Sequence, residues 1–277
     1  MAAYLGPSGA LTQIRCASQI HEEDATPITY RTSISRVRYA QVVAAHKTNR
    51  TWDISWSEAT TPEMVAYVRQ ISMGGYGLTP LVYYSEQAAA NNILTPQETM
   101  FTPGTYQSPY SEGGAVVASV ESSSWDGRLL RTLTTATQDR LLVAGRIPVP
   151  AGVPYTVSAY LTAYDGVSAR LSVAQRDAAD RWVREDTAQT DAGAGLQRVH
   201  LTVHPSERTT QIQIQTIGAL RVAGLAVSLT PGPVPWTDGQ GCRSALVSRP
   251  SAQPYMMAID PSITRRSAYG FTVTEVG

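Results

Sequence analysis

Between residues 50 and 84 the chain changes its hydrophobic period twice. Trp52, Ile54 and Trp56 alternate with Thr51, Asp53 and Ser55, the period-2 pattern of a strand with one buried face. Met64, Val68 and Ile71 then recur at helical spacing. Thr60 and Glu63 fit a capping box for that helix, and Pro62 takes an early position where its missing N–H costs nothing. Gly74-Gly75 stops the helix, and Leu81 to Tyr84 read as the next strand. The pattern supports this helix and no other; elsewhere the spacing is that of strands.

The chain divides into three blocks on the same grounds. In residues 1–92 strands are expected near 12–20, 28–34, 37–45, 51–56 and 80–84, with polar hairpin tips at His21-Glu22-Glu23-Asp24 and Lys47-Thr48-Asn49. Residues 93–115, with Pro96, Pro103, Gly104, Pro109, Gly113 and Gly114, have the composition of a linker. From 115 to 230 short alternating strands are separated by turn residues such as Asp126-Gly127, Asp165-Gly166 and Pro205-Ser206, which predicts a sandwich or barrel. The last block, 236–277, ends in a strand alternating Phe271 and Val273 with polar residues. It either rejoins the first block or trails the second, and the pattern leaves both open. The expected architecture is mainly β: an N-terminal β-sandwich or barrel domain with one short helix (1–92, completed by 238–277), and a β-sandwich over 93–237.

Two resemblances sharpen this expectation. The order of the tryptophan-bearing strand, the short helix after Thr-Pro, the Gly-rich turn, the Pro-led strand and Asn91-Asn92-Ile93-Leu94-Thr95-Pro96 resembles the N-terminal domain of phage distal tail proteins, the tail-hub subunits of long-tailed bacteriophages. That likeness runs over roughly residues 1–95 and resumes at 269–277. It implies a homo-oligomeric ring, a hexamer, that meets the tail tube protein and tail-tip hub proteins in the virion tail tip after assembly in the host cytoplasm. The second resemblance lies in 146–161, 196–203 and 223–236, which look like the jelly-roll carbohydrate-binding modules that accompany glycoside hydrolases. It implies a two-sheet sandwich, a structural calcium and a ligand face bearing aromatic rings.

The residues of the middle block give that ligand face a chemical reading of their own. In 156–164 Val157, Ala159, Leu161 and Ala163 point one way, and Thr156, Ser158, Tyr160, Thr162 and Tyr164 the other. Val199, Leu201 and Val203 oppose Arg198, His200 and Thr202; Ile212 and Ile214 oppose Gln211, Gln213 and Gln215; Leu171 and Val173 oppose Arg170 and Ser172. Flat aromatic rings stack on the apolar face of a sugar, while amides and guanidinium groups bond its hydroxyls. Candidate carbohydrate-binding residues are therefore Tyr160, Tyr164, Gln213 and His200 on this face, with Trp125 and Trp182 as loop platforms. The same mixture also suits an ordinary solvated sheet face.

Charge and chemistry mostly exclude. Lys+Arg and Asp+Glu are 22 each in 277 residues, and charged residues make up 16%, so there is no basic stripe for nucleic-acid binding. No apolar run is long enough to span a membrane. The N-terminal segment breaks at Gly6-Pro7 and does not read as a secretion signal, so the chain is expected to fold in the cytosol. Cys16 and Cys242 read as reduced thiols, with a bridge between them as the alternative. His200 and His204 on one strand lie roughly 13 Å apart, too far to share a metal. The chain has no nucleophile elbow, phosphate loop or paired catalytic acids, and Asp126, Asp165, Asp177, Asp180 and Asp191 sit at turns. No catalytic residue is assigned, and the chain is expected not to be an enzyme. The leading expectation is a tail-tip structural subunit whose jelly roll binds host cell-surface glycans. The alternative is a non-catalytic carbohydrate-binding protein or an accessory module of a glycoside hydrolase.

Overall fold

The computed structural model describes residues 2–14, 17, 19–25, 28–32, 38–42, 49–77, 80–101, 118–125, 128–135, 140–163, 168–190, 197–218, 220–254 and 267–276. Its strands begin with β1 (Ala3–Pro7), β2 (Thr12–Ile14), β3 (Gln19–Ala25), β4 (Ile28–Thr32), β5 (Arg38–Val42) and β6 (Asn49–Thr60). Helix α1 (Pro62–Ser72) follows, then β7 (Leu81–Tyr84), α2 (Glu86–Asn91) and α3 (Pro96–Thr99). The middle of the chain forms β8 (Ala118–Trp125), β9 (Arg128–Thr135), β10 (Arg140–Pro148), β11 (Tyr155–Ala163), β12 (Arg170–Arg176) and β13 (Trp182–Gln189). It continues through β14 (Gln197–Val203), β15 (Gln211–Ile217) and β16 (Leu220–Ser228), and the chain closes with β17 (Cys242–Pro254) and β18 (Ser267–Glu275). The fold is mainly β, and the chain forms two compact units: residues 1–14 with 82–242, and residues 15–81 with 243–277.

In the second of these units β17, β18, β6 and β3 lie side by side in that order, and β4 pairs with β5. Antiparallel pairing of β6 with β18 sets Trp52, Ile54 and Trp56 opposite Val273, Phe271 and Tyr269, so both strands turn the same apolar face inward. Trp56 lies 6.4 Å from the Tyr269 ring and 5.5 Å from Phe271. At the end of this ladder the buried Arg50 guanidinium sits 5.0 Å over the Trp52 ring. It donates to both Glu275 oxygens, at 2.9 and 3.1 Å. A bidentate pair with a stacked cation combines charge, directionality and packing in one contact.

Two local expectations change here. His21 to Asp24 are not a hairpin tip: they lie within β3, opposite Asp53, Trp52, Thr51 and Arg50 of the long strand β6. An edge strand tolerates such charges on its solvent side, and a tip at 21–24 would have left the β6 backbone groups without a ladder. Helix α1 is capped by Thr61 rather than Thr60. Thr61, held extended by the proline after it, accepts the Met64 N–H at 3.4 Å. Val68 and Ile71 are buried as their spacing predicts, and Gly74, at φ 75°, ends the helix.

The other unit is an antiparallel two-sheet sandwich of jelly-roll type. One sheet runs β14-β11-β16-β9-β8 and the other β10-β15-β12-β13. Val157, Ala159, Leu161, Val222, Val227 and Leu133 from the first meet Leu171, Val173, Ile212, Ile214 and Ile147 from the second in one core. The unit also takes in segments expected elsewhere: 1–14, 82–92 and 238–242 group with the sandwich rather than with the N-terminal block. Tyr4, Val82 and Tyr84 join its core, and the Tyr84 hydroxyl donates to Pro148 O at 2.9 Å.

Nor is α1 the one helix. Ser85 caps α2 by accepting the Ala88 N–H at 3.1 Å, and Thr95 and Glu98 close a complete capping box on α3. Alanines gave α2 no apolar stripe to read, and Pro96 made α3 look like linker. Ile93, Leu94 and Phe101 are fully buried, so 93–101 is packed structure; the remainder of the expected linker, 102–115, lies outside the described residues, as do Cys16, Lys47 and Thr48. No helix among the described residues is long and apolar enough to cross a membrane.

Asn92 holds this segment in place. Its amide nitrogen donates to Leu225 O at 3.3 Å and Thr237 O at 3.0 Å, and its oxygen accepts from Leu94 N at 3.2 Å and Val227 N at 3.0 Å. Gly241 passes so close to the Ile93 carbonyl that a Cβ there would collide with it.

Truncating Asn92→Ala strands buried backbone groups of three segments, and is expected to cost about 3–5 kcal/mol of unfolding free energy, read as a lower urea midpoint. Glu275→Ala leaves the Arg50 guanidinium without its carboxylate. A loss of about 3 kcal/mol is expected, with Glu275→Gln recovering part of it in the same urea titration.

Candidate functional site

The sandwich has two outer faces, and they differ. That of the five-stranded sheet is covered. The Tyr160 ring packs with Leu130, Ala223 and Trp236. The Arg198 guanidinium lies 5.9 Å from that ring, and donates to Ser158 Oγ at 3.2 Å and to the Val234 carbonyl. Thr156 donates to Thr230 O at 2.8 Å, so the chain after β16 folds back over polar positions that alternation alone had placed in solvent. Thr156 and Ser158 are buried. Gly224, at φ 56°, sits where a Cβ would lie 2.7 Å from the Tyr160 ring.

Tyr160 is thus a packing residue and not an open platform, which corrects its expected role. His200 is exposed on the same sheet, opposite Ser158, and shares no face with Trp182. Tyr164 lies outside the described residues; Trp125 ends β8 opposite Arg128, and its side chain is likewise outside them.

The outer face of the four-stranded sheet is the more open one among the described residues: Arg170, Thr187 and Gln189 are exposed and Gln211, Gln213 and Gln215 half-buried, while the small Ser172 and Ala174 between them are buried. Register places its residues in rows across the strands: Arg140, Ile217, Arg170 and Gln189; then Leu142, Gln215, Ser172 and Thr187; then Gln213, Ala174 and Glu185; then Gln211, Arg176 and Trp182. From Arg170 to Arg176 the face extends about 20 Å at ~3.3 Å per residue. Trp182 is 63% exposed, the largest apolar surface on this face. Of the six candidate residues, Trp182 and Gln213 come together here, with Gln211, Gln215, Arg170 and Ser172, whose outward direction the alternation also predicted.

Hydrogen bonds hold these groups in position. Arg140 Nη1 reaches across the strands to Glu185 Oε1 at 2.9 Å and Gln215 Oε1 at 3.2 Å, and Ser172 Oγ donates to the same Glu185 carboxylate. The turn leading into Trp182 is built on Asp177, whose carboxylate accepts from the N–H groups of Arg181 and Ala179, each at 2.9 Å, and from Arg181 Nε at 2.7 Å. Those bonds, the Arg181 N–H foremost, hold the Asp177 carboxyl below its ordinary value. Asp180 and Arg146 both adopt positive φ, 60° and 54°, and their side chains pair at 3.6 Å; Arg176 donates to Asp180 O at 2.7 Å.

On the inner side of β13, Arg184 and Asp186 form a close pair, and hydrogen bonding to Asp186 raises the Arg184 value. Burial, with Asp186 nearby, pushes the Tyr155 phenol far above its usual range.

Sequence reading missed Arg140, Arg146, Asp180 and Glu185. The segment 182–189 has no apolar alternation to orient it, and a bulge opposite Arg176 shifts its parity. No group of three or more His, Cys, Asp or Glu that could hold a metal occurs among the described residues, so none of them fits the implied calcium. Asp126, Asp165 and Asp191 lie outside them. In the other unit an open groove of 710 Å³ runs over Gly270, lined by His21, Asp53, Ser55, Arg249, Ser251 and Thr272. Thr272 donates to Asp53 there at 2.6 Å.

No protein-family model and no curated protein matches the chain. Among solved structures it is similar to the enzymatically active domain of bacteriophage CBA120 tailspike protein 4 (8% identity, TM-score 0.37, 50% of this chain and 21% of that one). It is also similar to a carbohydrate-binding module of Cellvibrio mixtus lichenase 5A in complex with cellotriose (14% identity, TM-score 0.32, 46% and 95%). A third is the module TmCBM61 in complex with β-1,4-galactotriose (14% identity, TM-score 0.34, 50% and 98%). The chain thus spans about a fifth of the tailspike chain. With TM-scores below 0.5, these likenesses carry no inference about what it binds.

The two faces should respond differently to truncation. Tyr160→Ala is expected to cost about 2–3 kcal/mol, because its ring fills space against Leu130 and Trp236, whereas Trp182→Ala should stay within about 0.5 kcal/mol of the parent by urea denaturation.

Proposed function

We propose that the chain is a non-catalytic structural subunit of a phage tail tip whose sandwich unit binds host-surface glycans on the outer face of its four-stranded sheet. The observation that carries the glycan part is the row of Gln211, Arg176 and exposed Trp182, backed by Gln213, Gln215 and the bonded Arg140–Glu185 pair. A ring to stack on and fixed amides to bond hydroxyls are what a sugar requires. Glu185 is taken up by Arg140 and Ser172, and Asp180 by Arg146 and Arg176, which supports a binding role over acid–base catalysis. The tail-tip part rests on the resemblance of residues 1–95 and 269–277 to distal tail proteins.

A polar, shallow face gives weak binding per copy, and a ring of copies multiplies it. The same face serves a free carbohydrate-binding module or an accessory module of a glycoside hydrolase, and assembly separates the readings: a ring of protomers in light scattering and negative-stain images supports the tail tip, a strict monomer the module.

Pull-down with host cell-wall polysaccharide tests the site. Trp182→Ala and Gln213→Ala are expected to lower retention about tenfold or more with folding intact, and unchanged retention in both removes this face from the proposal.

A further inference from the structure

We infer that the glycan this face takes is anionic, with Arg170 meeting its acid group, a carboxylate or a phosphodiester; the inference rests on the glycan-binding reading above. Over the whole chain positive and negative residues balance at 22 each, so an excess of one sign on one surface is a local arrangement. On this face Arg140, Arg146, Arg170 and Arg176 stand against Glu185 and Asp180 among the described residues. Both carboxylates are already engaged: Glu185 by Arg140, and Asp180 by Arg146 at 3.6 Å and Arg176 at 3.7 Å. Arg170 makes no ion pair or hydrogen bond with its side chain among the described residues, and it is exposed.

Its place in the sheet suits a charged ligand. Arg170 has Ile217 on one side, half-buried, and Gln189 on the other, exposed, so an apolar shoulder and an amide flank the guanidinium. Arg140 lies two strands away in the same row, about 10 Å off at ~4.8 Å per strand, and holds the nearest carboxylate, Glu185, in its own ion pair. The guanidinium fork bonds a carboxylate or phosphate through two parallel N–H groups, which a neutral hydroxyl cannot match. Trp182 stands at the opposite end of the face, so a chain of sugar units would stack at one end and pair its acid group at the other.

The test compares the full chain on immobilised polygalacturonate, on a glycerol-phosphate polymer and on a neutral β-glucan. Retention is expected on at least one acidic polymer and to exceed that on the glucan. Arg170→Gln should weaken it about tenfold, and so should raising salt from about 50 to about 300 mM. Which acidic polymer is retained identifies the acid group. Glucan held as well as either acidic polymer, with Arg170→Gln without effect and Trp182→Ala still abolishing retention, overturns the anionic assignment and leaves the glycan face standing. No retention on any of the three by a parent with an intact melting transition overturns both. An unchanged melting temperature for Arg170→Gln, exposed as it is, ties its loss to binding.

Discussion

One buried amide governs how the sandwich unit is put together. Asn92 has four hydrogen-bonding positions and all four are used, on three separate stretches of backbone. A helix end, a core strand and the segment after the sandwich therefore share one polar centre. Hydrophobic contacts tolerate sliding; four directional bonds at a fully buried site do not, because any slip leaves donors and acceptors unmet. Ile93 follows this registration by donating to Val227 O at 2.8 Å, and Gly241 by passing close against the Ile93 carbonyl. With that end of β16 set, the chain beyond it is directed back across the five-stranded sheet.

That return path explains why only one outer face is open. Alternation puts polar residues on both outer faces equally, and cannot tell a face that meets water from one roofed by a later segment. On the five-stranded sheet Arg198 donates to the Val234 carbonyl, Thr156 to Thr230, and Trp236 packs with Tyr160. On the four-stranded sheet no described segment crosses in this way, and side chains bond one another across the strands instead. The Arg140–Glu185 contact spans from the first strand of that sheet to the last. That contact and the Arg140–Gln215 bond hold these charged and amide groups in place across the strands.

What could be read from the residues followed directly from periodicity. The alternation about Trp52, the helix through Val68 and Ile71, and the inward sets Val157–Ala159–Leu161 and Ile212–Ile214 are all visible because each element buries one face. What escaped depended on partners distant in sequence or on locally silent composition. The helix of residues 86–91 is alanine-rich, and the turn of 96–99 is announced by a proline that also announces linkers. His21 to Asp24 look like a tip until β6 proves long enough to pair with them. Of the candidate site, Gln213 was legible as an outward polar-face residue and Trp182 only as an aromatic expected on a loop, while Tyr160 satisfied the alternation rule and is roofed. The bulge opposite Arg176 hid Glu185, since one extra residue reverses which face a strand presents.

The backbone conformation at the rim of the open face bears on its function. Arg146 and Asp180 both occupy positive φ, which Asp tolerates and Arg ordinarily avoids, and they pair with each other beside Arg176. An exposed ion pair at 3.6 Å contributes little to holding this rim by itself. The tight turn that Asp177 organises fixes the other side of this rim, since its carboxylate accepts three hydrogen bonds from the residues that lead into Trp182. Local bonding thus commits the chain to a geometry that leaves a large aromatic ring 63% exposed, where burial would have been the more favourable place for it. A fold that holds an indole in water next to a guanidinium and a row of amides has given up some stability at that spot, and the bonds of the Asp177 turn are what hold it there.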